Sequence, residues 1–396
     1  MATSDDCFTL LTNLELFTPE PLGRQHLLVA GGRIVWIGER LPQLDPALGV
    51  EVRDLGGCRV IPGLIDAHVH LTGGGGEAGY ETRVPPVPLT RFTLGGVTTV
   101  VGVLGTDDLV RTPAELLATT RGLRALGLSA FCHTGGYHFP PVTVTGSVRG
   151  DIVHLDPMLG VGELALSDHR SSQPTLDQLL QVAAEAHVAG LMTGKAGLVH
   201  LHLGDGSRGL ELVRRAVSES ELPARVFHPT HVNRRRALFE EAMQLVSLGV
   251  TIDVTAFPVG PLEDAWSAAD ALARYWKAGL PADRITVSSD GGGCLPVFDG
   301  EGRVAAMDVG DPGAMAQTVR ELLARGAGLP QILPPFTSNV ARVLRLSGKG
   351  RLVVGADADL VVLQSDGRIR DVMANGRWHV EQGRAVIRGT FEEASR

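Results

Sequence analysis

Between residues 63 and 346 the sequence returns again and again to short, mostly apolar runs, separated by longer stretches in which apolar side chains recur every three or four positions. The runs fall at 63–68, 97–104, 128–133, 161–166, 198–203, 224–231, 250–255 and 285–290, and helical spacing fills intervals such as 113–126, 175–189, 209–218, 235–248 and 264–277. A run that is apolar on both faces suits a strand covered on both sides, and a helix between two such runs supplies the crossover that parallel pairing requires. Eight units of this kind predict a (β/α)8 TIM-like barrel, in which functional side chains stand at the C-terminal ends of the strands.

The two ends of the chain read differently. Short β-branched runs at 8–16, 26–30, 33–37, 50–53 and 59–61 alternate with turns, and a matching set returns at 350–363, 369–374, 378–381 and 384–386. Flanking β segments of this kind predict a small β-sandwich domain built from both termini, residues 1–62 and 347–396, around a barrel of residues 63–346. A length of 396 residues suits one large domain with a satellite.

Composition excludes several function classes. A chain that is 44% hydrophobic and 20% charged is globular rather than disordered. Thirty-six Lys and Arg against 44 Asp and Glu give a net charge of -8 with no basic block to neutralise phosphates, which argues against nucleic acid as a partner. The first residues hold no cationic leader, and no apolar stretch reaches about 18 residues, so the expected location is the cytoplasm, away from the membrane. Cys7, Cys58, Cys132 and Cys294 lie far apart without a Cys-x-x-Cys pair, against a disulfide framework or a thiolate zinc site.

The strongest chemical signal is Asp66-Ala-His-Val-His70. Side chains two apart on a strand share a face, so His68 and His70 would project together into the barrel mouth and can share one metal ion. Alone, such a pair also fits a polar turn. Later strand ends carry His202, His231 and Asp290, which complete a nitrogen and oxygen set suited to zinc. His200 competes with His202, and His228 with His231; in each pair the strand-end position favours the later residue. His26, His133, His138, His154, His169, His187 and His379 read as structural or supporting. Glu163 lies inside the apolar run 161–166, where a carboxylate is costly unless it is paired with an arginine or coordinated; coordination would let it bridge two ions.

With Gly73-Gly-Gly-Gly-Glu-Ala-Gly79, Thr134-Gly-Gly-Tyr-His138, Ser167-Asp-His-Arg170, Pro229-Thr-His-Val-Asn-Arg234 and Ser288-Ser-Asp-Gly291, the chain resembles the amidohydrolase superfamily. Within it the chain is similar, over nearly its whole length, to the isoaspartyl (β-aspartyl) dipeptidase family. The His-x-His pair marks only the superfamily; the glycine-rich loop, the Gly-Tyr-His string and the Thr-His-Val-Asn-Arg string are specific to the dipeptidases. The resemblance implies hydrolysis of the isopeptide amide bond of β-aspartyl dipeptides by a metal-bound hydroxide. It implies two divalent ions, zinc by preference, with His68, His70 and Asp290 on one and His202 and His231 on the other. Asp290 would take the proton of the bridging hydroxide, and Tyr137 would donate to the carbonyl oxygen as charge develops. Glu77 would hold the α-ammonium with help from Thr106, and Arg170 and Arg234 would grip carboxylates. A homo-oligomer, an octamer in the family, is implied as well.

Two positions depart from that pattern. Glu163 stands where the dipeptidases usually carry a lysine that carbon dioxide converts to a bridging carbamate, and Cys294 stands where the motif ends in a carboxylate-binding serine. A thiol is the poorer hydrogen-bond donor. One rival reading keeps the superfamily but changes the substrate to a cyclic amide or an N-acyl amino acid, against which Glu77, Tyr137, Arg170 and Arg234 speak. The other, a metal-free regulatory relative, would have lost ligands that this chain retains.

Overall fold

The computed structural model describes residues 8–260, 263–298 and 304–393. The chain begins with β1 (Thr9–Phe17), β2 (Pro21–Ala30), β3 (Arg33–Gly38), β4 (Glu51–Asp54) and β5 (Arg59–Pro62). Eight strands in the central region follow: β6 (Leu64–Val69), β7 (Val97–Gly102), β8 (Ser129–Thr134), β9 (Met158–Leu166), β10 (Val199–Leu203), β11 (Phe227–Thr230), β12 (Ile252–Thr255) and β13 (Ile285–Ser288). A hairpin, β14 (Cys294–Phe298) and β15 (Val304–Val309), precedes the closing strands β16 (Leu360–Leu363), β17 (Ile369–Ala374), β18 (Arg377–Glu381) and β19 (Arg384–Ala385).

β6 to β11 form one parallel sheet in chain order, and β12 and β13 form a parallel pair. The pair is tied to that sheet on both sides. At one junction the Asp290 N–H donates to the His68 carbonyl at 3.2 Å and the His70 N–H to the Gly291 carbonyl at 2.8 Å. At the other, side chains do the joining: Thr230 Oγ1 donates to Asp253 Oδ2 at 2.7 Å, and His231 Nδ1 meets Thr255 Oγ1 at 2.7 Å. The arrangement is TIM-barrel-like, with the strand ends that carry the expected ligands gathered at one mouth.

Helices cover this core for reasons visible in the sequence. Helix Pro113–Ala125 starts on Thr112, whose hydroxyl accepts from the Glu115 N–H, and carries proline in its first turn. It buries Leu116, Leu117, Thr120 and Leu123, one stripe at helical spacing. Helix Leu176–Thr193 opens with a reciprocal Thr175 and Gln178 capping box and stops at Gly194, whose φ of 75° suits glycine.

The termini meet in one continuous nine-stranded sheet of order β19-β18-β17-β16-β5-β1-β2-β3, with β4 paired to β1. Its seam is the antiparallel pairing of β16 with β5, Leu360 opposite Pro62 and Leu363 opposite Arg59. Leu11, Leu14, Leu27, Ile34, Leu360 and Met373 form an apolar cluster of their own, apart from that of the parallel strands. The expected strand at 350–363 is shorter than its sequence suggested. Leu360–Leu363 form the strand proper, and Asp357 adds only an isolated antiparallel bridge to Arg33; Lys349 Nζ is buried between Asp357 and Asp359, at 2.9 and 2.7 Å, where the chain departs from a regular strand. Two further boundaries shift: residues 224–226 form a 3-10 turn ahead of β11, and β9 begins at Met158. The β14/β15 hairpin went unrecognised in the sequence. Among the described residues no helix is long and apolar enough to cross a membrane, and Cys58, Cys132 and Cys294 are free; Cys7 lies outside the described residues.

Candidate active site

The parallel strands bring six sequence-predicted side chains into one buried cluster. Glu163, on β9, lies at its centre and divides its carboxylate: Oε1 faces His70 Nε2 at 3.4 Å, while Oε2 faces His202 Nδ1 at 3.0 Å and both His68 Nε2 and His231 Nε2 at 3.5 Å. Asp290 Oδ1 approaches His70 Nε2 at 3.1 Å and His68 Nε2 at 3.5 Å. Three overlapping groups suit a cation: His68, His70 and Glu163; His68, His231 and Asp290; and Glu163, His202 and His231. Ligands about 2.0–2.1 Å from a tetrahedral zinc ion stand about 3.3 Å from one another. The observed separations bracket that value. His68 Nε2, Glu163 Oε1 and Asp290 Oδ1 are also buried without a hydrogen bond among the described residues, a costly state that a shared cation relieves.

Local backbone shape aims these groups. His231 and Asp290 adopt φ of 62° and 54°, left-handed values that cost a residue other than glycine about 1–3 kcal/mol and that recur at functional sites. Each sits just past a strand end, where the turn swings its side chain over the mouth. Asp66 secures the Asp290 side: its carboxylate accepts from the backbone N–H of His68 at 3.3 Å and of Ser289 at 3.1 Å, and from the Ser289 hydroxyl. Gly105 passes so close that a Cβ there would meet His70 Cε1 at 2.9 Å.

Electrostatics follow from burying acids among imidazoles. Burial opposes the Glu163 charge, but His68 and His202 outweigh it and hold the carboxyl well below the usual range. Asp290 is held low in the same way, against burial, by His68 and His70. Burial also opposes a cation on His68, yet Glu163 and Asp290 prevail and raise its pKa well above the ordinary imidazole value. His231, where burial dominates, is pushed down to about 4. Both carboxylates therefore favour the ionised form, the form in which a carboxylate can take up a dication.

At the rim, the buried Tyr137 hydroxyl lies 2.8 Å from His202 Nδ1. Burial, then Glu163, raises its pKa, so it stays a neutral donor. Arg170 lies over its ring, 5.4 Å from the centroid. Neither arginine expected to bind carboxylates is idle. Arg170 forks onto Asp168 at 2.8 and 3.0 Å and reaches Glu77 at 3.1 Å; Arg234 holds Asp205 at 2.9 and 3.2 Å and lies 3.4 Å from His202 Nε2. Glu77 and Arg170, expected to serve opposite ends of a ligand, thus neutralise each other. Thr106 is partly exposed on the loop after β7. Cys294 opens β14; burial, then Glu77 and Asp290, raises its thiol.

Asp168 is a site residue that the sequence reading missed. Its Oδ2 lies 3.1 Å from His202 Nε2, which turns the opposite nitrogen of that ring toward Glu163. The Asp-x-Arg spacing in Ser167-Asp-His-Arg170 was its only signal. Of the two histidine pairs, His202 and His231 face Glu163, whereas His200 and His228 lie in the core and touch each other at 3.0 Å.

Comparison with known proteins bears on this site. Residues 59–379 match the family model described as Amidohydrolase family. A crystal structure of β-aspartyl dipeptidase from Fervidobacterium islandicum AW-1 in complex with β-Asp-Leu dipeptide is 39% identical, with a TM-score of 0.89 over 97% of this chain and 99% of that one. A second structure of β-aspartyl dipeptidase from that organism is 38% identical, with a TM-score of 0.86 over 96% and 98% of the two chains. Imidazolonepropionase of Deinococcus deserti is 26% identical over 90% of this chain and 93% of its own length.

Proposed function

The chain belongs to the amidohydrolase family, and from that premise we propose that it hydrolyses the isopeptide amide bond of β-aspartyl dipeptides at a centre of two divalent ions, zinc by preference. What carries the reading is a single juxtaposition: a buried, anion-centred imidazole cluster bordered by Glu77 and by two guanidinium groups, Arg170 and Arg234, which Asp168 and Asp205 hold in place. A β-aspartyl dipeptide presents one ammonium and two carboxylates around its amide, the complementary set. The 39% identical structure is described as holding β-Asp-Leu, which supports the same substrate class here.

In this reading His68, His70 and Asp290 would hold one ion and His202 and His231 the other, with Glu163 supplying the anion that both would share. When bound, such ions supply Lewis acidity toward the amide carbonyl and lower the pKa of water. The remaining work belongs to the side chains. Asp290 accepts the proton of the attacking water and returns it to the departing amine. The Tyr137 hydroxyl donates to the carbonyl oxygen as negative charge develops there. Glu77, helped by Thr106, exchanges its contact with Arg170 for the substrate ammonium, which frees Arg170 for a carboxylate; Arg234 takes the other, and Cys294 lines that end. Binding is thereby an exchange of ion pairs. The same reading completes the strands as a (β/α)8 barrel over 63–346, with 1–62 and 347–396 as the composite β domain. The free cysteines suit a cytoplasmic enzyme, and the family resemblance suggests an assembly of several copies.

The direct test is metal analysis of the purified protein beside hydrolysis of β-Asp-Leu. Metal uptake with release of aspartate and leucine is expected; a metal-loaded protein inert toward β-aspartyl dipeptides sinks the proposal. Tyr137→Phe should lower kcat by about 10²-fold with a smaller change in KM, since its hydrogen bond strengthens only in the transition state. Steady-state kinetics with an unchanged kcat would remove Tyr137 from the mechanism. N-acetylation of β-Asp-Leu should lower kcat/KM by about 10²-fold, because Glu77 would then face the ligand without its charge partner. Equal hydrolysis of both compounds would transfer the protein to the N-acyl amino acid reading.

A further inference from the structure

We propose that His68 is presented to its metal by a one-way chain of hydrogen bonds through His200, His228 and Thr286 that ends on Asp253, which makes Asp253 a positioning residue for a site on another strand. The inference rests on the reading of His68 as a ligand. Its links are short: His68 Nδ1 to His200 Nε2, 2.8 Å; His200 Nδ1 to His228 Nδ1, 3.0 Å; His228 Nε2 to Thr286 Oγ1, 3.1 Å; and Thr286 Oγ1 to Asp253 Oδ1, 2.6 Å. All five residues are buried. Both ring nitrogens of His200 and of His228 are engaged along the chain, so a neutral ring with one N–H and one lone pair serves each.

The direction of the chain is set at its far end. With three hydroxyls aimed at its two oxygens, the Asp253 side chain acts as an acceptor. Asp253 receives the Thr286 hydroxyl on Oδ1 and the hydroxyls of Thr230 and Ser288 on Oδ2, at 2.7 and 2.6 Å. Having donated its proton, Thr286 must accept from His228 Nε2–H. His228 Nδ1 is then a bare acceptor for His200 Nδ1–H, and His200 Nε2 a bare acceptor for His68 Nδ1–H. That last assignment leaves the lone pair of His68 on Nε2, the atom that faces Glu163 and Asp290. Were the chain reversed, the proton would sit on Nε2 and block coordination. A metal-bound imidazole commonly gives its other N–H directly to a carboxylate or carbonyl. Here the carboxylate acts through two further imidazoles and a hydroxyl.

Histidine labelled with ¹⁵N in the zinc-loaded protein reads these tautomers directly. His200 is expected as the Nδ1–H form and His228 as the Nε2–H form, both neutral. In Asp253→Asn, the Thr230 and Ser288 donors hold the amide oxygen at the Oδ2 position, so the amide N–H turns toward Thr286 and reverses the chain. Zinc binding should weaken about tenfold or more. Thr286→Val should weaken it similarly, and Thr286→Ser, which keeps the hydroxyl, should restore it. A zinc-loaded wild type with His200 as the Nε2–H tautomer overturns the chain while leaving the metal centre standing. Zinc affinity unchanged in both Asp253→Asn and Thr286→Val overturns it as well. A wild type that takes up no zinc overturns the metal-centre reading and this inference together.

Discussion

Asp290→Asn leaves a folded chain whose kcat on β-Asp-Leu falls by about 10³-fold or more. The magnitude follows from two losses at one atom. A well-placed general base is worth about 10²–10⁴-fold, and Asp290 Oδ1, 3.1 Å from His70 Nε2 and 3.5 Å from His68 Nε2, also supplies anionic charge to the group proposed to hold the first ion. An amide keeps the shape and gives up both. The left-handed turn at residue 290 costs asparagine no more than aspartate, and Asp66 still secures the neighbouring Ser289, so the fold should persist. Circular dichroism, metal content and kcat measured on one preparation separate the effects. Near-normal turnover by a correctly folded variant would take Asp290 out of proton transfer.

What the sequence disclosed about this site was whatever obeys strand periodicity and position. His68 and His70 could be paired because side chains two apart share a face, and His202, His231 and Asp290 could be chosen because they terminate apolar runs. Glu163 was conspicuous as a lone acid in a buried run. By contrast, the pairing of Arg170 with Glu77 depends on two loops arriving together, and no spacing rule encodes that. The left-handed turns at His231 and Asp290 were equally invisible, since neither residue type announces a positive φ as glycine does. His200 and His228 appeared in the sequence only as competitors for ligand roles. Their contact with each other is a cross-strand relation, set by the register that places His200 beside His228. In the fold, the parallel alternation and the terminal strands were legible. The β14/β15 hairpin was not, because its apolar runs lie outside the repeating strand and helix pattern that guided the reading.

Glu163→Gln should uncouple the two halves of the centre. Glutamine matches the volume of this almost wholly buried side chain, 1% exposed, so packing is preserved while the one negative charge shared by His70 on one side and His202 and His231 on the other disappears. Loss of a group that merely orients a ligand costs about 10–100-fold in metal affinity, so loss of a direct anionic bridge should cost the more weakly held ion about 10²-fold or more, with kcat falling at least as far. Metal analysis should then give about one ion per chain where the wild type gives about two. Because the proposed bridge is part of the encoded side chain, wild-type activity should be indifferent to added bicarbonate, unlike that of a relative whose bridge must be built from lysine and carbon dioxide. The decisive comparison is metal stoichiometry and kcat for both proteins, each with and without bicarbonate. Equal stoichiometry in the two proteins would show that Glu163 only balances His68 electrostatically. A bicarbonate requirement in the wild type would mean that the bridging anion comes from somewhere other than Glu163.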